Sequence, residues 1–145
     1  MDARISLITL GVDDLGRATR FYERLGWQRA AESQPEVAFF QLAHQVLALY
    51  PRANLAADLG IAVAGAGSVT LAQNFHDREA VDRAYAEAVS AGAKALRTPY
   101  ETGWGGYVAY IADPEGHVWE FAHNPAFPLG DDATLTLPSM TNSAG

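Results

Sequence analysis

The chain has 145 residues, 49% apolar and 19% charged, which predicts a single soluble globular domain with one core. Its formal charge of −7 argues against nucleic acid and anionic membranes as partners, because both require clustered Lys and Arg, and it mildly favours cationic ligands. The chain contains no cysteine, which excludes thiol nucleophiles, disulfides and cysteine-bound metal.

The N-terminal stretch MDARISLITLGVDD has an acid at position 2 and no long apolar core followed by a cleavage site, so no signal peptide is predicted. The uncharged run at 59–75 is slightly short for a membrane span and only weakly apolar. It is better interpreted as a linker that leads into a buried strand. We therefore expect a cytoplasmic protein.

The first half of the chain begins with a change from β-type to helical periodicity. A β-rich run at 4–12 is followed by apolar residues at i, i+3 and i+4 spacing over 15–25, which predicts an amphipathic helix. Asp13 or Asp14 can cap the start of this helix, and Gly26 can end it in a left-handed conformation.

Three short strands are predicted next, because β-rich runs alternate with turn signals. A connection follows them and contains a possible helical turn at 53–58. The predicted strands are 27–33, 36–42 and 45–51.

The second half repeats this order of elements. A strand at 68–75 precedes a helix with Asp77 as its cap and Gly92 as its stop. Three further strands follow, at 94–101, 106–112 and 117–123. The last two are joined by Asp113-Pro114-Glu115-Gly116, a strong turn signal because proline presets φ and glycine accepts positive φ.

The two halves therefore match as strand–helix–strand–strand–strand, and some residues match at an offset of 63, such as Asp14 with Asp77. Such a repeat implies two similar sheets that bury their helices on one side and face each other across a cleft.

We predict one domain at 1–129, with one module at about 4–60 and a second at about 66–128. Residues 130–145 are predicted to be a tail that is flexible or orders against a partner subunit.

The doubled βαβββ plan and the motifs GVDDLGRATRFYERLGW and GYVAYIADPEGHVWEF resemble the vicinal oxygen chelate superfamily over residues 5–128. This group includes glyoxalase I, extradiol dioxygenases, fosfomycin-resistance enzymes and bleomycin-resistance binding proteins. The resemblance implies an α+β fold, in which two βαβββ modules form a cleft-shaped, half-open mixed β-sheet with helices on its outer face. It also implies a homodimer, and leaves open whether the modules swap between subunits.

In the metal-dependent members of that group, four ligands come from four strands, two in each module. The corresponding positions here are Leu7, Ala48, Ser68 and Glu120. Only Glu120 is a good metal ligand, and one carboxylate does not hold a divalent ion tightly. We therefore expect neither a metal nor another cofactor.

Two histidines flank Glu120 at tempting spacings, since His117 lies three residues before it and His123 three residues after it. On a helix either pair would share a face, but on a strand odd separations point to opposite faces. The preceding turn and the β-branched and aromatic content predict a strand, so neither pair is expected to bind metal.

The resemblance directs Glu120, Tyr110 and Val108 into the cleft, and strand alternation sends Ile111, Trp119 and Phe121 toward the helices. The loop ETGWGGY can act as a lid or an aromatic platform. The predicted ligand-binding residues are Glu120, Tyr110, Val108, Trp104, Tyr107, Tyr50, Ser68 and Thr70.

Two interpretations of Glu120 remain open. A desolvated carboxylate without a cationic partner can serve as a proton donor or base. The alternative is a structural group that pairs with an arginine or bonds to Tyr110 or a threonine.

The favoured function is a metal-free protein of the glyoxalase/bleomycin-resistance type, which binds a small organic molecule, aromatic or cationic, in the cleft. The main alternative is a glyoxalase-like lyase or isomerase, or a dioxygenase-related enzyme, in which Glu120 is the catalytic acid/base or a metal ligand. A dimer with a vestigial cleft is the third possibility.

Overall fold

The computed structural model describes residues 1–141, and the chain forms two compact units. Unit 1 consists of Met1–Ser68 together with the short segment Asp113–His117. Unit 2 consists of Val69–Ala112 and the chain from Val118 onwards.

Unit 1 contains a three-stranded sheet in the order β1-β3-β2, with β1 parallel and β2 antiparallel to β3. Its elements are β1 (Leu7–Val12), α1 (Leu15–Arg24), β2 (Ala38–Gln41), β3 (Val46–Pro51) and α2 (Arg52–Leu59).

Unit 2 contains a four-stranded sheet in the order β4-β7-β6-β5, with one parallel pair, β4 and β7. Its elements are β4 (Thr70–Asn74), α3 (Arg78–Ser90), β5 (Lys94–Glu101), β6 (Tyr107–Ala112), β7 (Val118–His123) and α4 (Pro138–Thr141). Two open mixed sheets with helices confirm the predicted α+β class. The predicted tail contains α4, and its end, 142–145, lies outside the described residues.

The predicted helix boundaries are confirmed in both units. Asp14 caps α1 by accepting the Arg17 backbone N–H at 2.9 Å, and Asp77 caps α3 by accepting the Ala80 N–H at 2.7 Å. Past the helix ends, Gly26 and Gly92 have φ of 88° and 111°, a conformation in which a side chain would be strained.

The strand predicted at 27–33 is wrong, because this stretch makes only an isolated bridge between Arg29 and Phe40. The Phe39 backbone N–H donates to the Ser33 hydroxyl at 2.9 Å, so a side chain takes a donor that a strand ladder would use. The helical turn predicted at 53–58 is a longer helix, α2.

Each unit has its own core. In unit 1, Phe21 and Tyr22 of α1 are 1% and 0% exposed, and Tyr22 stacks on Trp27 with ring centroids 5.3 Å apart. In unit 2, Val81 and Ala88 of α3 are buried, together with three side chains of β6 and β7 that were predicted to face the helices: Ile111, Trp119 and Phe121. Each such side chain contributes about 1.5–3 kcal/mol by burial.

The turn segment Asp113–His117 carries a polar network that belongs to unit 1. Asp113 is 3% exposed, and its carboxylate accepts the Tyr22 hydroxyl at 2.7 Å. The same carboxylate accepts the backbone N–H groups of Glu115 and His117, both at 2.9 Å. A buried carboxylate with three donors is well compensated, which explains why this turn tolerates an acid in the interior.

Glu115 holds the N-terminus of α1. Its carboxylate, with the side chain 4% exposed, accepts the backbone N–H groups of Asp13 and Asp14, each at 2.9 Å, and the Arg17 guanidinium at 2.9 Å. Burial alone would raise the pKa of Glu115, but these two N–H groups and Arg17 together lower it below its ordinary value. Two carboxylates thus accept backbone N–H groups where α1 begins: Glu115 accepts those of Asp13 and Asp14, just before the helix, and Asp14 accepts that of Arg17 in the first turn.

Over residues 1–141, none of the helices has both the length and the apolar content to cross a bilayer.

Candidate ligand-binding site

The sheet of unit 2 presents two chemically different faces. Tyr107, Ile111 and Phe121 lie on the side of α3, because Tyr107 bonds to Asp82 of that helix and strand side chains alternate. The opposite side, which we call the distal face, carries the alternate residues. These form three rows across β5, β6, β7 and β4, namely Lys94, Ala112, Val118 and Thr70; Arg97, Tyr110, Glu120 and Ala72; and Tyr100, Val108, Ala122 and Asn74.

The middle row contains a hydrogen-bonded acid and phenol. Tyr110 and Glu120 are direct cross-strand partners, and the Tyr110 hydroxyl donates to Glu120 Oε2 at 2.6 Å. This hydrogen bond, together with partial burial and the Glu120 charge, raises the pKa of Tyr110 to about 12. Tyr110 therefore remains protonated at neutral pH and directs its proton at the carboxylate. Among the described residues, Glu120 Oε1 receives no hydrogen bond, so this oxygen is available to a ligand.

Arg97 and Tyr100 extend this row on β5, and sequence reasoning missed both. Lys94 pairs with Ala112 on the distal face, so plain alternation would direct Arg97 toward α3. The register shift between Ala95 and Arg97 brings Arg97 to the distal face, and the second shift, between Arg97 and Tyr100, keeps Tyr100 on that face as well. The only sequence signal was Pro99, a residue typical of edge strands and bulges.

The Arg97 guanidinium lies 3.7 Å from the centroid of the Tyr100 ring. This stacking orients the cation without neutralising it. The Arg97 charge also acts on Tyr110, where it lowers the pKa and opposes the larger effect of Glu120. The three groups thus lie close enough to influence one another.

Two further predicted residues belong to the distal face. Val108 is 1% exposed beneath the polar row, and Thr70 is exposed at the start of β4. The structure therefore brings Glu120, Tyr110, Val108 and Thr70 onto one surface, and their ligand-binding role stays a prediction.

Tyr107 lies on the other side of the sheet. Its hydroxyl donates to Asp82 at 2.7 Å, which raises its pKa, and the Arg78 guanidinium lies 5.3 Å from its ring centroid. Arg78 also forms an ion pair with Glu101. Tyr107 is thus part of the packing between α3 and the sheet edge, apart from the distal-face group.

Trp104 lies in the loop between β5 and β6 and is 59% exposed. Its indole packs on Gly106 so closely that a Cβ at that glycine would lie 2.0 Å from the ring. The loop is closed by Thr102, whose backbone N–H and hydroxyl both bond to Gly106. The indole of Trp104 is therefore exposed to solvent but fixed in position by its packing on Gly106.

Tyr50 and Ser68 are in unit 1. The Tyr50 hydroxyl donates to Asp58 of α2 at 2.9 Å, and this bond raises the pKa of Tyr50. Ser68 is exposed at the end of the unit.

The donor set does not fit a divalent metal. Two of the positions that the resemblance assigns to metal ligands hold hydrocarbon side chains, Leu7 and Ala48, and Ser68 supplies only a neutral hydroxyl. Among residues 1–141, no three His, Asp or Glu side chains cluster closely enough to hold an ion. Glu120 is left as a single carboxylate, bonded to a phenol, where such sites require several charged or imidazole ligands.

Both histidines near Glu120 bond to backbone carbonyls instead. His117 Nε2 lies 3.0 Å from the Gly11 oxygen, and His123 Nδ1 lies 3.1 Å from the Phe75 oxygen. The predicted strand is confirmed as β7, and that neither histidine binds metal with Glu120 stays a prediction.

Unit 1 also contains two open hollows. One, of about 820 Å³, lies beside Met1–Ser6, and another, of about 260 Å³, lies beside Thr19 and Arg20. Neither contains a predicted site residue, and neither combines an acid with a hydrogen-bonded phenol.

The chain is similar to a widespread group of proteins. Residues 4–121 match the family model described as Glyoxalase/Bleomycin resistance protein/Dioxygenase superfamily. A glyoxalase-related enzyme from Fulvimarina pelagi is 39% identical, with a TM-score of 0.85 over 93% of this chain and 98% of that one. No curated protein matches this chain.

Two more distant structures support the fold alone. A glyoxalase/bleomycin resistance protein/dioxygenase family enzyme from Burkholderia phytofirmans PsJN is 22% identical, with a TM-score of 0.73 over 83% of this chain and 98% of its own. A lactoylglutathione lyase from Agrobacterium tumefaciens is 21% identical, with a TM-score of 0.68 over 86% of this chain and 96% of its own.

Proposed function

The chain belongs to the glyoxalase/bleomycin resistance protein/dioxygenase superfamily, and from that premise we propose that it is a metal-free protein that binds a small organic molecule. The ligand lies on the distal face of unit 2. Family membership alone does not assign this function, because one fold hosts many activities. The proposal depends on the Glu120–Tyr110 pair, whose second carboxylate oxygen is left for a ligand.

Three features of the distal face support ligand binding. A carboxylate and a phenol supply directional hydrogen bonds, Tyr100 supplies an aromatic surface, and the exposed Ala72, beside Glu120 on β4, contributes only a methyl group. Small sites of this kind combine an apolar lining with a few placed polar groups. The acidic net charge suggested a cationic ligand, but this face carries Arg97 and Lys94 as well as Glu120, so charge alone does not select a cation.

The proposal is tested by adding a panel of small aromatic acids, amines and amides to ¹⁵N-labelled protein. We expect binders to shift the amide signals of β6 and β7. Glu120→Gln is expected to leave the spectrum folded and to change the affinity of amine-bearing binders by about tenfold, the value of one charge-assisted hydrogen bond.

The matched control is Glu87→Gln, which removes the same charge from an exposed position on α3. This control should leave every affinity unchanged. The proposal fails if no panel member shifts distal-face signals, or if elemental analysis of purified protein finds a stoichiometric divalent metal whose loss abolishes binding.

A second function, an enzyme in which Glu120 moves a proton, is favoured by two observations. Tyr110, with its pKa raised to about 12, is bonded to the carboxylate and can hold it in place, and the 39% identical relative is described as a glyoxalase-related enzyme. This function predicts turnover of 2-oxoaldehyde adducts with a pH–rate profile that disappears in Glu120→Gln. Binding without turnover of any such adduct would favour the first proposal.

We also propose that the protein is a cytoplasmic homodimer. The family resemblance supports the dimer, and the absence of cysteine suits a reducing compartment. Sedimentation equilibrium at micromolar concentration tests the dimer, and a mass equal to one chain would contradict it.

A further inference from the structure

The distal face carries two opposite charges in one row. Arg97, Tyr110 and Glu120 are successive cross-strand neighbours on β5, β6 and β7. Adjacent strands lie about 4.8 Å apart, so the backbones at Arg97 and Glu120 are about 10 Å apart. This separation is close to the length of a small molecule with one aromatic ring and a polar group at each end.

Each charge is held in place but not neutralised. Arg97 stacks on Tyr100 at 3.7 Å, and among the described residues no carboxylate lies within ion-pair distance of it. Glu120 is fixed by the Tyr110 hydroxyl through Oε2 alone. A guanidinium on an aromatic ring presents its planar N–H groups to a carboxylate, and a carboxylate oxygen accepts from an ammonium or hydroxyl.

An aromatic residue lies between the two charges in the row. Tyr110 of β6 is the cross-strand partner of both Arg97 and Glu120 and is partly exposed, whereas Val108 and Ala122 of the adjacent row are buried. A ring in this position favours an aromatic or other apolar body over a uniformly polar ligand.

We propose that the distal face selects elongated bipolar molecules, with a carboxylate at Arg97, an ammonium or hydroxyl group at Glu120, and an apolar body over Tyr110. This inference rests on the proposed function, because it names the ligand class of the same face. It assigns Arg97 as a specificity-determining residue, and Tyr100 as the residue that positions it.

The test uses 4-(aminomethyl)benzoate, which carries its two charged groups at opposite ends of one ring. Two half-probes, 4-methylbenzoate and 4-methylbenzylamine, each keep one charged group. NMR titration of the full chain is expected to show the bipolar probe binding about tenfold more tightly than either half-probe, since each keeps only one charge-assisted contact.

Two variants should then give opposite patterns. Arg97→Gln is expected to weaken the bipolar probe and 4-methylbenzoate by about tenfold and to leave 4-methylbenzylamine unchanged. Glu120→Gln should weaken the bipolar probe and 4-methylbenzylamine and leave 4-methylbenzoate unchanged. Arg83→Gln, at an exposed position on α3, is the control for loss of one positive charge and should change none of the three affinities.

The inference is overturned if the bipolar probe binds no better than its halves, or if either variant weakens both half-probes alike. If the inference is overturned in this way but uncharged aromatic amides still shift the distal-face signals of the wild-type protein, the proposed function survives and only the ligand class is wrong. If Arg83→Gln weakens the acid probes as much as Arg97→Gln does, net charge and not Arg97 is responsible, which also overturns the inference.

Discussion

The third residue of β3 and the third residue of β7 occupy equivalent places in the two units, yet one is Ala48 and the other Glu120. Ala48 pairs across the sheet with Phe39, whereas Glu120 pairs with Tyr110. Where unit 1 has the methyl group of Ala48 beside the phenyl ring of Phe39, unit 2 has the carboxylate of Glu120 beside the phenol of Tyr110, so both positions differ together. A sheet of this repeated type can accommodate an acid as the third residue of this strand if the neighbouring strand supplies a hydrogen-bond donor for it.

At the helix N-termini it is unit 1, not unit 2, that has the additional acid. At the start of α1, Asp14 accepts an N–H of the first turn and Glu115 accepts the N–H groups of the two preceding residues, whereas α3 has Asp77. Unit 1 thus uses its acids to stabilise a helix, and unit 2 keeps Glu120 for the distal face. The acids thus differ in their donors: Asp14, Glu115 and Asp77 accept backbone N–H groups at helix starts, whereas Glu120 accepts a phenol hydroxyl.

The largest effect is expected from placing an acid in the row of unit 1. Ala48 is 2% exposed, and its cross-strand partner on β2 is Phe39, whose side chain donates no hydrogen bond, so Ala48→Glu should lower the free energy of unfolding by about 3–5 kcal/mol through overpacking and an unpaired buried charge. Urea denaturation at neutral pH measures this.

Two further variants sharpen that result. Ala72→Glu, at an exposed position in the equivalent row of unit 2, should cost less, about 0.2–1 kcal/mol, because the new carboxylate stays in water but lies directly opposite Glu120. Adding Phe39→Tyr to Ala48→Glu should restore about 1 kcal/mol by supplying a donor. A fully stable Ala48→Glu protein would show that the apolar row of unit 1 is not required.

The next effect concerns Glu115. Because its buried carboxylate accepts three donors at the start of α1, Glu115→Gln should lower stability by about 2–3 kcal/mol. The folded-state pKa lies below the ordinary 4.5, so the contribution is complete above about pH 4.5 and is lost as the pH falls through the folded-state value.

The measurement is the difference in unfolding free energy between wild type and Glu115→Gln from pH 7 down to pH 3. We expect this difference to shrink as the solution becomes acidic. A difference that is constant over this range would mean that the carboxylate charge contributes nothing at the helix terminus.

Much of the fold could be predicted from sequence because its signals are local. The spacing of apolar residues located α1 and α3. The cap of α3 was predicted as Asp77 and that of α1 as Asp13 or Asp14, of which the structure has Asp14, and β5 was predicted with its observed bounds. The stretch 27–33 was wrongly predicted as a strand. The backbone N–H of Phe39 bonds to the Ser33 hydroxyl, and this contact between residues six apart could not be predicted from the local β-rich composition.

The candidate site was predictable only where strands are regular. The resemblance placed Glu120 and Tyr110 on one face, and the structure agrees because β6 and β7 pair without a register shift. Alternation could not place Arg97, since the first irregularity in β5 reverses the direction of the side chains that follow it, and the second restores the original direction at Tyr100. Tyr107 was assigned to the ligand as part of an aromatic, glycine-rich loop, whereas its hydroxyl bonds to Asp82.

A smaller effect is expected at the N-terminus of α3. Asp77→Ala removes the side-chain acceptor of the Ala80 N–H and should cost about 1 kcal/mol, whereas Asp77→Asn should retain most of the stability. Thermal unfolding of both variants beside Glu115→Gln checks the comparison of the two helices. If Asp77→Ala cost as much as Glu115→Gln, the doubled cap on α1 would have no special value.

The smallest effect should come from the polar row itself. Tyr110→Phe removes a half-buried hydrogen bond to Glu120 and should lower the free energy of unfolding by about 0.5–1.5 kcal/mol at pH 7. Folding raises the pKa of Tyr110 from 10.0 to about 12, so its contribution is complete below pH 10 and is lost as the pH rises from 10 toward 12. Urea denaturation between pH 7 and pH 11.5 should therefore show wild type and Tyr110→Phe converging at the alkaline end. Parallel curves would mean that Tyr110 does not donate to Glu120 in solution, and the row would then resemble its apolar counterpart at Phe39.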